Sequence, residues 1–211
     1  MGCRQLRNNM KKRSAAIIIF AAFTSLAAMP AYSLNLLQFR NFVQVSPFAD
    51  AENWFLTQPL VYDVRDTGKE IIIPDYFVTD FASIPQPFWS ILPPWGKYGP
   101  PSVVHDFLYW DQRCTREQAD RIFLAAMEES KVTKFRRFFI HLAVRWGGAM
   151  SWEANKKIRA AGMTREIPES MRPTDPKTEW KELQQAIFNS GYRPEQRPSS
   201  DPPPDYCSAA D

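Results

Sequence analysis

The chain has 211 residues with 26 Lys and Arg against 23 Asp and Glu, a formal charge of +3. The first 33 residues hold five of those bases and no acid; without them 21 basic residues face 23 acidic ones, a net charge of −2. A protein so charged lacks the phosphate-neutralising excess of a nucleic-acid binder, and no nucleic-acid partner is expected.

In chain order, Arg4, Arg7, Lys11, Lys12 and Arg13 precede an apolar run from Ala15 to Met29 that ends at Pro30-Ala31-Tyr32-Ser33. A charged n-region, an apolar h-region and small residues at −3 and −1 predict a signal peptide over residues 1–33, cut after Ser33. The run is shorter than the roughly 18 residues that span a bilayer, so a periplasmic or secreted protein is expected rather than an anchored one. Met10, directly before Lys-Lys-Arg, offers a second start. Cys114 and Cys207 survive the cut, and an oxidising compartment would allow them to pair; the sequence leaves that open.

Residues 34–165 suffice for a single domain with a real core. Strands are predicted at Phe42 to Val45, at Trp54 to Val64, where Leu60, Tyr62 and Val64 alternate, and at Glu70 to Ile73. Turn residues from Arg65 to Lys69 make the last two a hairpin. Phe77 to Pro101, rich in proline and aromatics, reads as an ordered irregular connection. One helix starts near Pro100, Pro101 or Ser102 and runs through Trp110. A second starts at Thr115, which has the capping-box spacing to Gln118, and buries Ala119, Ile122, Phe123, Ala126 and Met127. A third covers Lys134 to Met150 with Phe135, Phe138, Phe139, Leu142 and Trp146 as its buried stripe. Lys134, Arg137, His141 and Arg145 form a cationic stripe opposite, suited to a solvated face or to anionic lipid head groups, with Trp89, Trp95 and Trp110 as core or interfacial residues. The class is α+β: N-terminal antiparallel strands, then about three helices. Residues 166–211 are expected as a proline-rich tail with one amphipathic helix over about 176–188, capped by Asp175, and a disordered end from Arg193.

The chemistry-bearing stretch is Ser102-Val103-Val104-His105-Asp106-Phe107-Leu108-Tyr109, followed by Ala119-Asp120-Arg121-Ile122-Phe123. On a helix Tyr109 lies one turn after His105 on the same face, and Asp106 points about 100° away. Packing the second helix on the first would bring Asp120 to the imidazole. A carboxylate that holds a histidine tautomer leaves the other ring nitrogen to take a proton from water. Asp106 is then free for a hard cation such as calcium. Against this stands a purely structural reading, with His105 hydrogen-bonded in the core and Asp120 paired to Arg116 or Arg121.

The order Phe77-Val78-Thr79-Asp80-Phe81-Ala82-Ser83-Ile84-Pro85, then His105-Asp106-x-Leu108-Tyr109, then Ala119-Asp120-x-x-Phe123 resembles a bacterial and phage family known as domain of unknown function 1353, across most of residues 40–150. That family brings no established activity. The shorter pattern H-D-x-x-Y with a later A-D-x-x-F resembles the core of secreted phospholipase A2. The second resemblance implies calcium-dependent hydrolysis of a phospholipid ester, with His105 as the base, Asp120 behind it, Tyr109 hydrogen-bonded to Asp120, and Asp106 as calcium ligand. It implies membrane lipid as partner. In that family a glycine-rich calcium loop lies well before the histidine, whereas Trp95-Gly96-Lys97-Tyr98-Gly99-Pro100 stands close in front of His105.

Asp80 and Ser83 are further cleft candidates. Ser83 with His105 and an aspartate would make a nucleophilic triad, but no glycine-flanked elbow surrounds it; turn hydrogen bonds before Pro85 are the simpler role. Two functions follow. One is a secreted lipid ester hydrolase. The other is a non-enzymatic, phage-derived structural or interaction protein in which His105, Asp106, Tyr109 and Asp120 form a buried network.

Overall fold

A computed structural model describes residues 39–81, 96–194 and 201–210. The expected signal peptide, Ser83, Trp89 and Trp95 lie outside the described residues. Residues 35–211 form one compact unit, and it is α+β.

Strands β1 (Val45–Pro47), β2 (Trp54–Leu56) and β5 (Val78–Thr79) make an antiparallel sheet in the order β1-β2-β5, with Val45 opposite Leu56 and Phe55 opposite Val78. Strands β3 (Leu60–Asp63) and β4 (Glu70–Ile73) form the expected hairpin, with Leu60 opposite Ile73. Gly68 adopts a left-handed φ of 74° in its turn, a conformation that costs a glycine little. Two strand expectations need correction. The first strand is Val45–Pro47 rather than Phe42 to Val45, and the run from Trp54 to Val64 is two strands. Pro59, which has no amide donor, lies in the break between them.

Helices α1 (Gly99–Asp111), α2 (Arg116–Glu129), α3 (Lys134–Ala160) and α4 (Trp180–Asn189) follow. Pro100 and Pro101 occupy the first turn of α1, where a missing N–H is harmless. Ser102 lies inside the helix, where its hydroxyl donates to the Tyr98 carbonyl. The Thr115–Gln118 capping box is present at the start of α2. The hairpin, α1 and α2 bury Tyr62, Ile71, Val104, Leu108 and Ile122 in one core.

Helix α3 departs from expectation in both length and face. It runs ten residues past Met150, and its expected buried stripe is exposed except for the half-buried Phe139: Phe138 is 63% and Trp146 82% accessible. The packing face is instead Ile140, Val144, Gly148, Trp152 and Asn155, at helical spacing, flanked by bases that reach inward. Arg137 pairs with Glu128 at 2.7 Å, and the Arg159 guanidinium donates to the carbonyls of Trp110 and Asp111, satisfying the last turn of α1. Trp110 is a core residue.

Helix α4 begins at Trp180, with Asp175 accepting from the Lys177 N–H in a preceding turn instead of capping it. Its Trp180 and Ile187 pack with Phe48, Phe55 and Val78. Residues 201–210 also pack, correcting the expectation of a disordered end. Tyr206, Cys207 and Ala210 join the main core, and Cys207 is disulfide-bonded to Cys114. Among the described residues no helix is long and apolar enough to cross a membrane.

Candidate functional site

Contact between α1 and α2 brings three of the sequence-predicted residues together. His105 Nε2 lies 3.1 Å from Asp120 Oδ1, and the Tyr109 hydroxyl donates to the same oxygen at 2.7 Å. Arg116 holds the other oxygen of Asp120 at 3.3 Å, one helical turn earlier. The imidazole is stacked on Phe123, with ring centroids 4.4 Å apart, and lies against Tyr109. Asp120 is therefore held by three groups at once, and the enzymatic and the structural pairings foreseen for it coexist.

Burial pushes the His105 pKa below the ordinary imidazole value, and the hydrogen bond and charge of Asp120, then the charge of Asp80, push it back up. Burial first, then the bond to Asp120, raises the Tyr109 phenol far out of its usual range, so it stays a donor.

Asp106 leaves the helix on another side, as its position one residue after His105 requires. Its Oδ2 accepts from the Thr79 hydroxyl on β5 and, at 3.3 Å, from the amide N–H of Asp80, the residue after that strand. Burial is the main cause that holds the Asp106 carboxyl well above the ordinary carboxylate range; the neighbouring Asp80 charge adds to it, and Arg165 and the Thr79 bond oppose it. Asp80 and Asp106 are thus two close carboxyl groups with a basic neighbour. Calcium takes six to eight oxygens. Among the described residues no group of three or more His, Cys, Asp or Glu is placed to hold a metal ion, so the donor set here does not by itself fit calcium.

Linkage fixes the sign of a test. A carboxyl whose folded pKa is raised contributes stability that is present below its unfolded value and lost as pH rises toward the folded one. Asp106→Asn keeps an acceptor for Thr79 and removes the ionisation. Its melting temperature is expected to exceed the parent's at pH 8 and to converge with it near pH 4; equal or lower values at pH 8 would refute the raised pKa.

His105, Asp106, Tyr109 and Asp80 all line one cavity of about 700 Å³. Its remaining wall is largely α3: Leu142, Ala143, Trp146, Gly147, Met150 and Ala154. Apolar cavities of this size hold organic ligands. Residues 54–144 match the DUF1353 family model, described as a protein of unknown function. The DUF1353 match spans β2 through the first three turns of α3 and includes the cavity residues Asp80, His105, Asp106 and Tyr109. No curated protein and no solved structure matches the chain.

Three contributors escaped the sequence reading. Arg165, after α3, lines the cavity and faces Asp106 electrostatically. Asn155 is buried on the cavity side of α3. Both lie beyond the DUF1353 segment and carry no motif. Gly148 is the third. A Cβ added there would stand 2.5 Å from the Tyr109 hydroxyl, so only glycine lets α3 approach the Tyr109–Asp120 pair. Its position in an apolar helical stretch was the available signal. Gly148→Ala is expected to destabilise the fold by about 1–3 kcal/mol through overpacking. Denaturant melts of the single and double variants check this: in a Tyr109→Phe background the cost should shrink, because the clashing oxygen is gone.

Proposed function

We propose that this protein is an ester hydrolase acting on lipid, with His105 as general base. The observation that carries the reading is the His105–Asp120 pair, 3.1 Å apart at the wall of an apolar cavity of about 700 Å³. Asp120 engages Nε2, which leaves Nδ1 to take a proton from a water beside the ester. As the water oxygen bonds to the carbonyl carbon, its proton passes to Nδ1 and Asp120 stabilises the imidazolium. Collapse of the tetrahedral species breaks the ester C–O bond, and the imidazolium returns the proton to the departing alkoxide. Tyr109 and Arg116 orient Asp120. Apolar walls suit an acyl chain.

An imidazole whose pKa is lowered by burial stays neutral to lower pH than a free histidine. The acid limb of the pH–rate profile is therefore expected below the ordinary value of 6.5, because the base form is lost only as pH falls through the lowered pKa. A limb centred above 6.5 would contradict His105 as the base.

Hydrolysis of several phospholipids by the purified chain, with calcium and with a chelator, tests the proposal. Release of fatty acid supports it, and no release from a well-folded protein on any of them sinks it. Calcium belongs in the assay because the phospholipase resemblance implies it. Export after cleavage at Ser33 is part of the same proposal. The Cys114–Cys207 bond supports it, since such bonds persist in oxidising compartments; a mature N-terminus at Leu34 is the expected mass-spectrometric result.

A further inference from the structure

Helix α3 presents Phe135, Phe138, Leu142, Trp146 and Met150 to solvent, at steps of three and four residues that keep them in one row. At 1.5 Å per residue that row is about 22 Å long. Single exposed apolar side chains are ordinary, but an aligned row with a tryptophan and a methionine 82% and 76% accessible marks an interaction surface.

Two observations identify what covers it. Charge is the first: on α3 Lys134, Arg145, Lys156 and Lys157 are exposed, and Glu153 is the helix's one acidic residue. An apolar face edged by bases suits a surface that is apolar inside and anionic at its rim. Continuity is the second. Leu142, Trp146 and Met150 belong to the exposed row and also line the cavity that reaches His105. An acyl chain could therefore pass from the outer face of α3 into the cavity along apolar side chains, and the small Ala143, Gly147 and Ala154 leave room on that side.

We infer that the exposed face of α3 docks this protein on an anionic lipid surface, with the mouth of the cavity against the lipid. The inference shares the lipid with the proposed hydrolase but concerns binding, which is measured without turnover.

The test is co-sedimentation of residues 35–211, the compact unit described above, with vesicles of phosphatidylcholine alone and of phosphatidylcholine mixed with phosphatidylglycerol. Binding to the mixed vesicles should be at least about tenfold stronger, and high salt should abolish most of that difference. Trp146→Glu with Met150→Glu should weaken binding to both by more than about tenfold; Arg145→Glu with Lys156→Glu should remove the preference for the anionic vesicle. All four positions are exposed, so unchanged melting curves are expected. Absence of binding by the wild type, or equal binding by wild type and the Trp146/Met150 variant, overturns the inference. So does a wild-type dimer by light scattering that Trp146→Glu converts to monomer, which would assign the row to a second copy. Vesicle binding without ester hydrolysis leaves the docking face standing and removes the hydrolase; hydrolysis of dispersed lipid without vesicle binding does the reverse.

Discussion

His105→Gln is expected to lower phospholipid hydrolysis by at least about a hundredfold while the protein stays folded. Glutamine retains a side-chain N–H that can reach Asp120, so the buried carboxylate keeps a partner alongside Tyr109 and Arg116. What it lacks is a nitrogen able to take a proton near neutral pH. Removing a positioned general base costs about 10²–10⁴ in rate, and each factor of ten corresponds to about 1.4 kcal/mol of barrier. Melting temperature should move little by comparison. A purely structural network predicts the opposite split, with stability falling and no hydrolysis in the parent to lose. Asp120→Asn serves as the companion, because it leaves the base present but weakens its tautomer and charge support. Its loss should be large in kcat and small in KM, the mark of an interaction made mainly in the transition state. A His105→Gln protein as active as its parent would remove His105 from the mechanism.

Local signals were legible wherever a residue's role depends on its near neighbours. Thr115 and Gln118 announced the start of α2, the turn residues before Glu70 announced the hairpin, and the spacing of His105 and Tyr109 put both on the face that meets α2. Helix α3 was misread because periodicity reports that one face is apolar, not that the apolar face is covered. Its large aromatics drew attention, whereas contact with α1 is made through Gly148 and its neighbours, where smallness rather than hydrophobicity decides the approach. Arg137, which looked like part of a solvated stripe, finds a carboxylate, and Arg159, past the expected end of the helix, finds two helix-end carbonyls; no local pattern foretells either. Arg165 is hidden for the same reason: its relation to Asp106 spans the whole of α2 and α3. The proline-rich end misled because composition predicts how a segment behaves alone, and Tyr206 and Cys207 are held by a distant partner.

Reducing the Cys114–Cys207 bond is expected to destabilise the fold by about 4–5 kcal/mol. The bond joins positions 93 residues apart, and closing a loop of that length removes about that much chain entropy from the unfolded state. For a unit of this size the melting temperature should fall by about 8–20 °C. In the folded state the tail also offers Tyr206, Cys207 and Ala210 to the core, Tyr206 hydrogen bonds with Arg113 at 2.9 Å and Asp111 at 3.5 Å, and a Lys69 contact to the Asp205 carbonyl, none of which constrains the unfolded chain as the covalent bond does. Calorimetry with and without reductant, beside Cys114→Ser, measures the effect. Neither cysteine lines the cavity, so hydrolysis measured well below the lowered melting point should persist. A melting curve indifferent to reductant would mean that the bond does not form in solution, and with it would go the physical support for an oxidising compartment. A large fall in melting temperature with activity retained in the cold would separate what holds this fold together from what the His105 cavity does.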